Sequence, residues 1–575
     1  MEKKWLIKRN LHKLRVLVHV FFTGRFNDFY ALVRQLFKPK RKHMRPGAID
    51  LSMLTILATQ HTSYVAHFLE QHLNSMGFRT RIEYTFNPKS DLGQLYFAIC
   101  PQMFKKLPWN YVAFQMEQSV SSRWFTERYF FQLKEAIAIC DYSKKNIEFL
   151  LNKGIPYQQI YYLPIGSVSC YKNDLDGREY SNPEEQESCE VLFYGDTSSK
   201  RRQRFLEKLQ SRFKVRIVQN IFGEEMVAQL CSAKIVINIH YYENALLETT
   251  RIHEVLSLGV PIISESSQDI GDYPLLADVI EVVPEGDIDQ MADRIEELLK
   301  NSAKYDSLKQ QIRNYNCCFS ESSAFYFDRL LLAHDWISYE QFLKNHPVNF
   351  EKNKELCLSL TETPSRKRHF QMQKRNQFKI IEGLRHFKGW IGCGLSYKYM
   401  LQGFTKADLS RFPMICEDDV VFFSDFNEKV KKIRNYLESL EPNSWQIFSG
   451  LIAWLDPDTE ILKVEKVDGV EYIYINKMTS TVCNIYNEKS AEFIAQWNES
   501  NRNQRTNTID KYIESLENLV VITTLPFLVS HSSEEDSSIW KMNNSNYDMI
   551  IVESAQLLDS KIKSYKKMNN INFSD

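Results

Sequence analysis

The sequence predicts an α/β protein with two doubly wound, parallel-sheet units in series and a third α/β unit after them. Three observations lead there. From Leu51 to about residue 345, apolar runs of strand length alternate with segments of helical period. The polar stretch 171–189 interrupts that alternation once, and a fresh strand-like run opens at Leu356. Strict alternation of the two periods places helices on both faces of a parallel sheet. A chain of 575 residues is also too long for one core and implies three or four compact units.

The elements follow in order. Leu51–Ala58 reads as a strand, His61–Met76 as a helix closed by Gly77, and Thr80–Tyr84 as the next strand. Leu95–Cys100 and Tyr111–Gln115 are short buried strands, while Phe130–Cys140 and Lys144–Lys153 read as helices stopped by Gly154-Ile155-Pro156. After the linker come strands Val191–Tyr194, Val215–Gln219, Ile235–Ile239, Val260–Ser264 and Val279–Val283. Helices are expected at Arg202–Ser211, Glu224–Cys231, Thr249–Ser257 and Ile288–Asn301, then a helical stretch over Ala324–Asn345. The third unit is expected to hold strands at Leu356–Leu360, within Met414–Phe423, and at Trp445–Ser449, Tyr472–Ile475 and Leu519–Thr523. The Lys- and Asn-rich tail, 555–575, is expected to fray.

Composition narrows the function. Equal numbers of acidic and basic residues give zero net charge, which excludes nucleic acid as the main partner because phosphate binding needs a positive field. The charge is uneven locally: residues 1–45 carry thirteen Lys and Arg against Glu2 and Asp28, interleaved with apolar and aromatic side chains. That arm either lies peripherally on an anionic membrane face or forms a solvated helix packed on the next domain. Its run Val16–Phe22 is too short to span a bilayer, and no signal-type cleavage site follows. Eleven scattered cysteines with no CxxC pair give neither a disulfide framework nor a zinc site, so reduced thiols and a cytoplasmic location are expected.

In the first half the most specific segment is Leu247-Glu248-Thr249-Thr250-Arg251-Ile252-His253-Glu254, continuing to Gly259-Val260-Pro261. Thr249 or Thr250 would cap a helix whose free N–H groups face a pyrophosphate. Arg251 and Glu254, three apart, share one helix face, a cation for diphosphate and a carboxylate for ribose hydroxyls. This resembles the donor domain of GT-B glycosyltransferases, in which a glutamate before a Gly-x-Pro turn grips the donor ribose; the resemblance implies that role for Glu254. The pattern of retaining enzymes, two glutamates eight positions apart, is not kept, since the earlier place is Leu246; Glu248 or Glu243 would have to substitute. Upstream, Tyr194-Gly195-Asp196 leads into Lys200-Arg201-Arg202, a glycine turn that brings backbone close to phosphate, with Lys200 or Arg201 as counter-charge. His61, just past the first strand, and Glu117, at another strand end, are rival bases for an acceptor hydroxyl.

In the last third, Cys357–Arg368 ends in the basic run Arg366-Lys367-Arg368, Gly392-Cys393-Gly394-Leu395-Ser396-Tyr397 follows, and Ile415-Cys416-Glu417-Asp418-Asp419-Val420 sets three acids between apolar flanks. Adjacent carboxylates in a partly buried place repel, and a divalent cation with hard oxygen ligands would relieve them. Strand alternation makes Glu417 and Asp419 the ligand pair and turns Asp418, a catalytic candidate, toward the sugar or a base. These three segments resemble glycosyltransferase family 25, the lipooligosaccharide galactosyltransferase type, with Tyr397 for the usual His and Ser538 where Asp is common. The resemblance implies a GT-A-like domain in which Arg366 and Ser396 meet the nucleotide, Mn²⁺ or Mg²⁺ sits on Glu417, Asp419 and His531, and UDP-galactose is the donor. No cofactor is expected in the GT-B unit.

The reading as a whole is a basic amphipathic arm (1–48), a GT-B pair of Rossmann-like domains (49–170 on the acceptor side, 188–345 on the donor side), a GT-A-like domain (350–555) and a polar tail (556–575). The expected function is a bifunctional transferase passing sugars from nucleotide sugars to an oligosaccharide or glycolipid acceptor of a surface glycan, in the cytoplasm or on the inner face of the plasma membrane. The alternative is one active transferase joined to a catalytically inactive, glycan-binding partner.

Overall fold

A computed structural model describes residues 49–89, 93–120, 123–168, 171, 188–348, 350, 355–404, 412–441, 444–534 and 544–571. The expected arm, most of the expected linker and Ser538 lie outside the described residues. Residues 50–575 form one compact unit.

The first sheet contains β1 (Asp50–Leu57), β2 (Thr80–Glu83), β3 (Gln94–Ile99), β4 (Tyr111–Gln115), β5 (Ala138–Asp141) and β6 (Ile160–Tyr162), ordered β2-β1-β3-β4-β5-β6 and parallel throughout. Helix α1 (Ser63–Ser75) follows β1 and buries Tyr64, Val65, Phe68 and Leu69. The helix expected over Phe130–Cys140 is shorter: it occupies Glu127–Glu135 and gives way to β5, which is buried at every position. A continuous apolar run serves a core helix or a central parallel strand equally, so the sequence could not separate them.

The second sheet, ordered β11-β10-β9-β7-β8, is also parallel and comprises β7 (Cys189–Tyr194), β8 (Val215–Val218), β9 (Ala233–Asn238), β10 (Ile262–Glu265) and β11 (Glu281–Val283). Helix α2 (Lys200–Gln210) follows β7, and α3 (Thr249–Ser257) precedes β10. The two sheets meet along a cleft. Across it Gln118 bonds both backbone groups of Leu246 at 3.0 Å, and Tyr64 Oη lies 2.9 Å from Ser257 Oγ.

The helical stretch expected over Ala324–Asn345 is two helices, α4 (Ser302–Ala333) and α5 (Tyr339–Asn345). The chain breaks at Asp335, whose φ of 59° is incompatible with a right-handed helix, and Ser338 recaps it with Gln341.

The third unit is a mixed sheet of β12 (Glu355–Ser359), β13 (Lys379–Glu382), β14 (Met414–Glu417), β16 (Ile447–Ser449), β17 (Ile461–Val467), β18 (Val470–Ile475), β19 (Cys483–Tyr486) and β20 (Val521–Thr524). Its order is β13-β12-β14-β19-β16-β20-β18-β17, and a separate antiparallel pair joins β15 (Val420–Phe422) to β21 (Val529–His531). Helix α6 (Pro364–Met372) follows β12, and α7 (Gly389–Gln402) presses so closely on Trp497 that a Cβ at Gly394 would collide with the indole. The tail does not fray where it was expected to. Helix α8 (Ser545–Met568) buries Leu558 and Ile562, and Tyr565 Oη donates to the Leu462 carbonyl at 3.2 Å.

A buried charge network ties the third unit to the edge of the first sheet. Arg329 on α4, fully buried, pairs with Glu362 and, at 2.6 Å, with Glu382. Glu362 accepts the Tyr162 N–H at 2.8 Å, and Arg385 donates to the Tyr157 carbonyl at 2.8 Å.

Candidate active site

Parallel strands present their carboxyl ends to the cleft, and a cavity of about 660 Å³ opens there. His61 after β1, Gly195 after β7, Asn220 and Phe222 after β8, and Arg251 and Glu254 on α3 all line it. Four of the residues singled out from sequence therefore share one wall system.

Glu254 is half-buried between two tyrosines. Tyr194 Oη donates to it at 2.9 Å and Tyr171 Oη at 3.2 Å, and burial raises its carboxyl pKa despite these bonds and the nearby Arg251. Arg251 donates to the Tyr194 carbonyl at 2.6 Å and pairs with Glu248 at 3.0 Å. Gly195 is required where it stands. Its φ is 130°, and a Cβ there would sit 3.0 Å from Arg251 Nη2, so only glycine leaves the guanidinium its place.

The second cation of the cavity is Arg202, which the sequence reading passed over. It is buried, donates to the Ile239 and Asp196 carbonyls at 2.8 and 2.9 Å, and pairs with Glu248 at 3.2 Å. Burial lowers its pKa to about 10. Glu248 is held well below the usual carboxylate range: its own burial works the other way, but Arg251 and Arg202 outweigh it. The two guanidiniums face the carboxylates of Glu248 and of Asp196, which also lines the cavity, so the glycine turn carries two paired cations and no surplus positive charge. The cations expected there are elsewhere. Lys200 is exposed and does not line the cavity, and Arg201 forks onto buried Glu265, with Nη1 to Oε2 at 2.6 Å. The signal was available in the helical phase, since Arg202 shares a face with Phe205, Leu206 and Leu209, which are all buried.

His61 stands exposed at the cavity mouth, its Nδ1 3.0 Å from Thr59 Oγ1, and desolvation on its inner side lowers its pKa. Glu117 does not line the cavity. It receives the Gln102 amide at 2.8 Å, and its backbone is held by Gln115 and Asn146. The expected threonine cap is also absent: Glu248 holds the N-cap position, and Thr249 Oγ1 is buried with no hydrogen-bond partner among the described residues. Gly259 closes α3 with a φ of 71°, as expected.

In the third unit the acids sit at a turn, not along a strand. Strand β14 ends at Glu417, Asp418 and Asp419 form the turn, and β15 starts at Val420. Alternation lapses at the turn, so the expected pairing of Glu417 with Asp419 is replaced. Asp418 and Asp419 both engage buried Arg366, at 2.7 and 3.0 Å, while Glu417 accepts Thr481 Oγ1 at 2.6 Å. Asp418 also accepts Ser359 Oγ at 2.7 Å, and Asp419 accepts the Asn544 amide at 2.9 Å. Burial, then Asp419, raises the Glu417 carboxyl to about 7. His531 is brought near by the pairing of β15 with β21, but its Nε2 turns to Asp548 at 3.0 Å.

Asp419 Oδ1 is the one oxygen of this cluster that is buried without a partner among the described residues. No group of three or more His, Cys, Asp or Glu among the described residues is arranged to hold a metal. Arg366, expected at the nucleotide, pairs with Asp418 and Asp419, one cation against two carboxylates. Ser396 accepts the Leu384 N–H at 2.9 Å and donates to the Gly392 carbonyl at 2.7 Å. The cavity these residues line holds only about 60 Å³ and is bounded on one side by Tyr157 and Gln158 of the first unit.

Residues 184–316 match a protein-family model described as glycosyl transferase-like. No curated protein matches the chain. Similar solved structures include an alpha-glucosyltransferase in complex with UDP and a DNA 13-mer, at 12% identity over 49% of this chain and 98% of that one, with a TM-score of 0.35. WaaG, a glycosyltransferase involved in lipopolysaccharide biosynthesis, is 12% identical over 47% of this chain and 98% of its own, with a TM-score of 0.33. HepE from Anabaena, solved with UDP and glucose, is 10% identical over 49% and 99%, with a TM-score of 0.35. The matched family segment contains Gly195, Arg202, Arg251 and Glu254. No helix among the described residues is long and apolar enough to cross a membrane.

Proposed function

We propose that the chain is a glycosyltransferase that takes a nucleotide-sugar donor in the cleft between its first two sheets and transfers the sugar to a hydroxyl of a growing surface glycan. The observation that carries this reading is the cavity in which Arg202, Arg251, Gly195 and half-buried Glu254 converge inside a segment matching a glycosyl transferase-like family. The glycine turn lets the diphosphate approach backbone, the two guanidiniums compensate its charge, and Glu254 exchanges its tyrosine donors for ribose hydroxyls. The acceptor oxygen bonds to the sugar's anomeric carbon as the bond to the β-phosphate oxygen breaks. The acceptor proton passes to His61, and the negative charge on the departing nucleoside diphosphate is met by Arg251 and Arg202. The reaction runs in the cytoplasm or on the inner membrane face, where nucleotide sugars are the donors at hand.

For the third unit, one specific observation favours a partner that does not transfer sugar. Its candidate nucleotide site is a cavity of about 60 Å³, and two of its acids, Asp418 and Asp419, are already paired with Arg366. A second transferase using UDP-galactose and a divalent cation would have to open that cavity and release Arg366.

Nucleotide release by the full chain, measured with a panel of nucleotide sugars, tests both points. Replacing Glu254 with Gln removes charge-assisted bonds worth about 1.5–3 kcal/mol each. Donor turnover should fall by roughly ten-fold to a few hundred-fold. Normal kinetics in Glu254→Gln would overturn the donor site. Mn²⁺-dependent release persisting in that variant would restore a second transferase.

A further inference from the structure

A second, larger cavity lies away from the donor cleft, where α1, α4, the end of α5 and α7 come together; its volume is about 1090 Å³. Its floor is built around Asp328, whose side chain is 1% exposed. His72 Nε2 lies 2.7 Å from one carboxylate oxygen, and His346 Nε2 and the Asn345 amide lie 2.9 and 3.0 Å from the other. Asp328 is held well below the usual carboxylate range, because its bonds to His346 and His72 outweigh its burial. Three chain segments are thereby pinned to one buried anion, so the floor is preformed.

The lining states what chemistry it would recognise. Gln71, Ser75, Ser322 and Asn345 supply amides and hydroxyls, and Phe68 and Tyr399 supply ring surface. No Lys or Arg is among the described residues that line it, in contrast to the donor cavity with Arg202 and Arg251. A nucleotide or other phosphate ligand would meet only His72 and His346 as basic groups there, and both already face Asp328. A neutral, hydroxyl-rich ligand would find both hydrogen-bond partners and apolar faces. The volume lies just above the range, about 300–1,000 Å³, of sites that hold drug-sized ligands, and leaves room for more than one sugar ring. Helix α1 gives the position a meaning. Tyr64, Phe68, Gln71, His72 and Ser75 follow at spacings of four, three, one and three and form one stripe. Tyr64 lines the donor cavity, and the other four line the second.

We infer that this cavity is a carbohydrate-binding site that holds a neutral segment of the oligosaccharide acceptor while its growing end reaches the donor cleft along α1. The inference rests on the transferase reading above. It gives the third unit a role through Tyr399, whose hydroxyl donates to the His346 carbonyl at 3.2 Å.

The test uses the full chain with lactose, maltotriose and a trimannoside as probes, followed by saturation-transfer NMR, and a UDP titration of the same preparation. The expected result is binding of at least one oligosaccharide, unaffected by saturating UDP. Binding should be weakened about ten-fold or more in Gln71→Trp and Ser75→Trp, which put an indole into the cavity, with the melting temperature kept. Two variants at separate positions guard against one that fails to fold. UDP binding without binding of any probe, or probe binding unchanged in both variants, overturns the carbohydrate site and leaves the donor reading standing. Absence of UDP binding would instead strike at the donor reading itself.

Discussion

At the scale of single residues, the donor cleft turns on which basic side chain faces inward. Arg202 and Arg251 line it, and Lys200 does not. Arg202→Gln should therefore raise the donor KM by about ten-fold or more, the worth of one charge-assisted contact, while Lys200→Gln should stay within about two-fold. Equal losses in the two variants would return the phosphate role to the exposed end of α2. His61 supplies a pH test. Its lowered pKa keeps the imidazole neutral, and able to accept a proton, at neutral pH; the base is lost only as pH falls through a value below about 6.5. The kcat/KM profile should show an acidic limb below that point, and His61→Gln should lose the limb along with about a hundred-fold or more of the rate. An acidic limb that survives His61→Gln would assign the base elsewhere.

At the scale of elements, the turn from β7 into α2 is the most constrained feature of the site. Gly195→Ala would strain a φ of 130° and bring a methyl to 3.0 Å from Arg251 Nη2. Donor affinity measured by UDP titration should drop about ten-fold, with a smaller loss of melting temperature because the cost is local. An Ala variant that binds UDP normally would show that Arg251 does not need its present place. The turn between β14 and β15 makes the complementary point. Two residues of turn suffice to cancel the strand alternation that pairs Glu417 with Asp419, and they hand Asp418 and Asp419 to Arg366 together.

At the scale of the whole molecule, the seam between the first and third units is a buried ion network, not an open linker. Arg329 serves Glu362 and Glu382, and Glu362 in turn holds the Tyr162 N–H of β6. Arg329→Met would leave Glu362, which is fully buried, without its main counter-charge. The loss should be about 3–5 kcal/mol, read as a shift of the denaturation midpoint. The replacement Arg329→Met with Glu362→Gln should recover part of it, since the uncompensated charge is gone. A single variant as stable as the parent would mean that the seam is held by apolar packing instead.

The sequence alone determined the parallel α/β architecture of the first half, because periods of 3.6 and 2 in strict alternation admit few other solutions. It also determined the placing of Glu254, Arg251, Gly195 and His61 at strand and helix ends that a cleft gathers together. Tertiary structure decided what local pattern leaves ambiguous. Whether Ala138–Asp141 continues a helix or forms a strand depends on the parallel neighbours that bury it on both faces. Whether residues 555–568 fray depends on the tertiary cover that buries Leu558 and Ile562 and on Leu462 of β17, whose carbonyl takes the Tyr565 hydroxyl, since a single helical turn carries no record of what will cover it. The fate of the three acids depended on Arg366, fifty-two residues away from Asp418 in sequence and 2.7 Å away in space. Electrostatic partners are set by distance, and sequence order fixes distance only within an element.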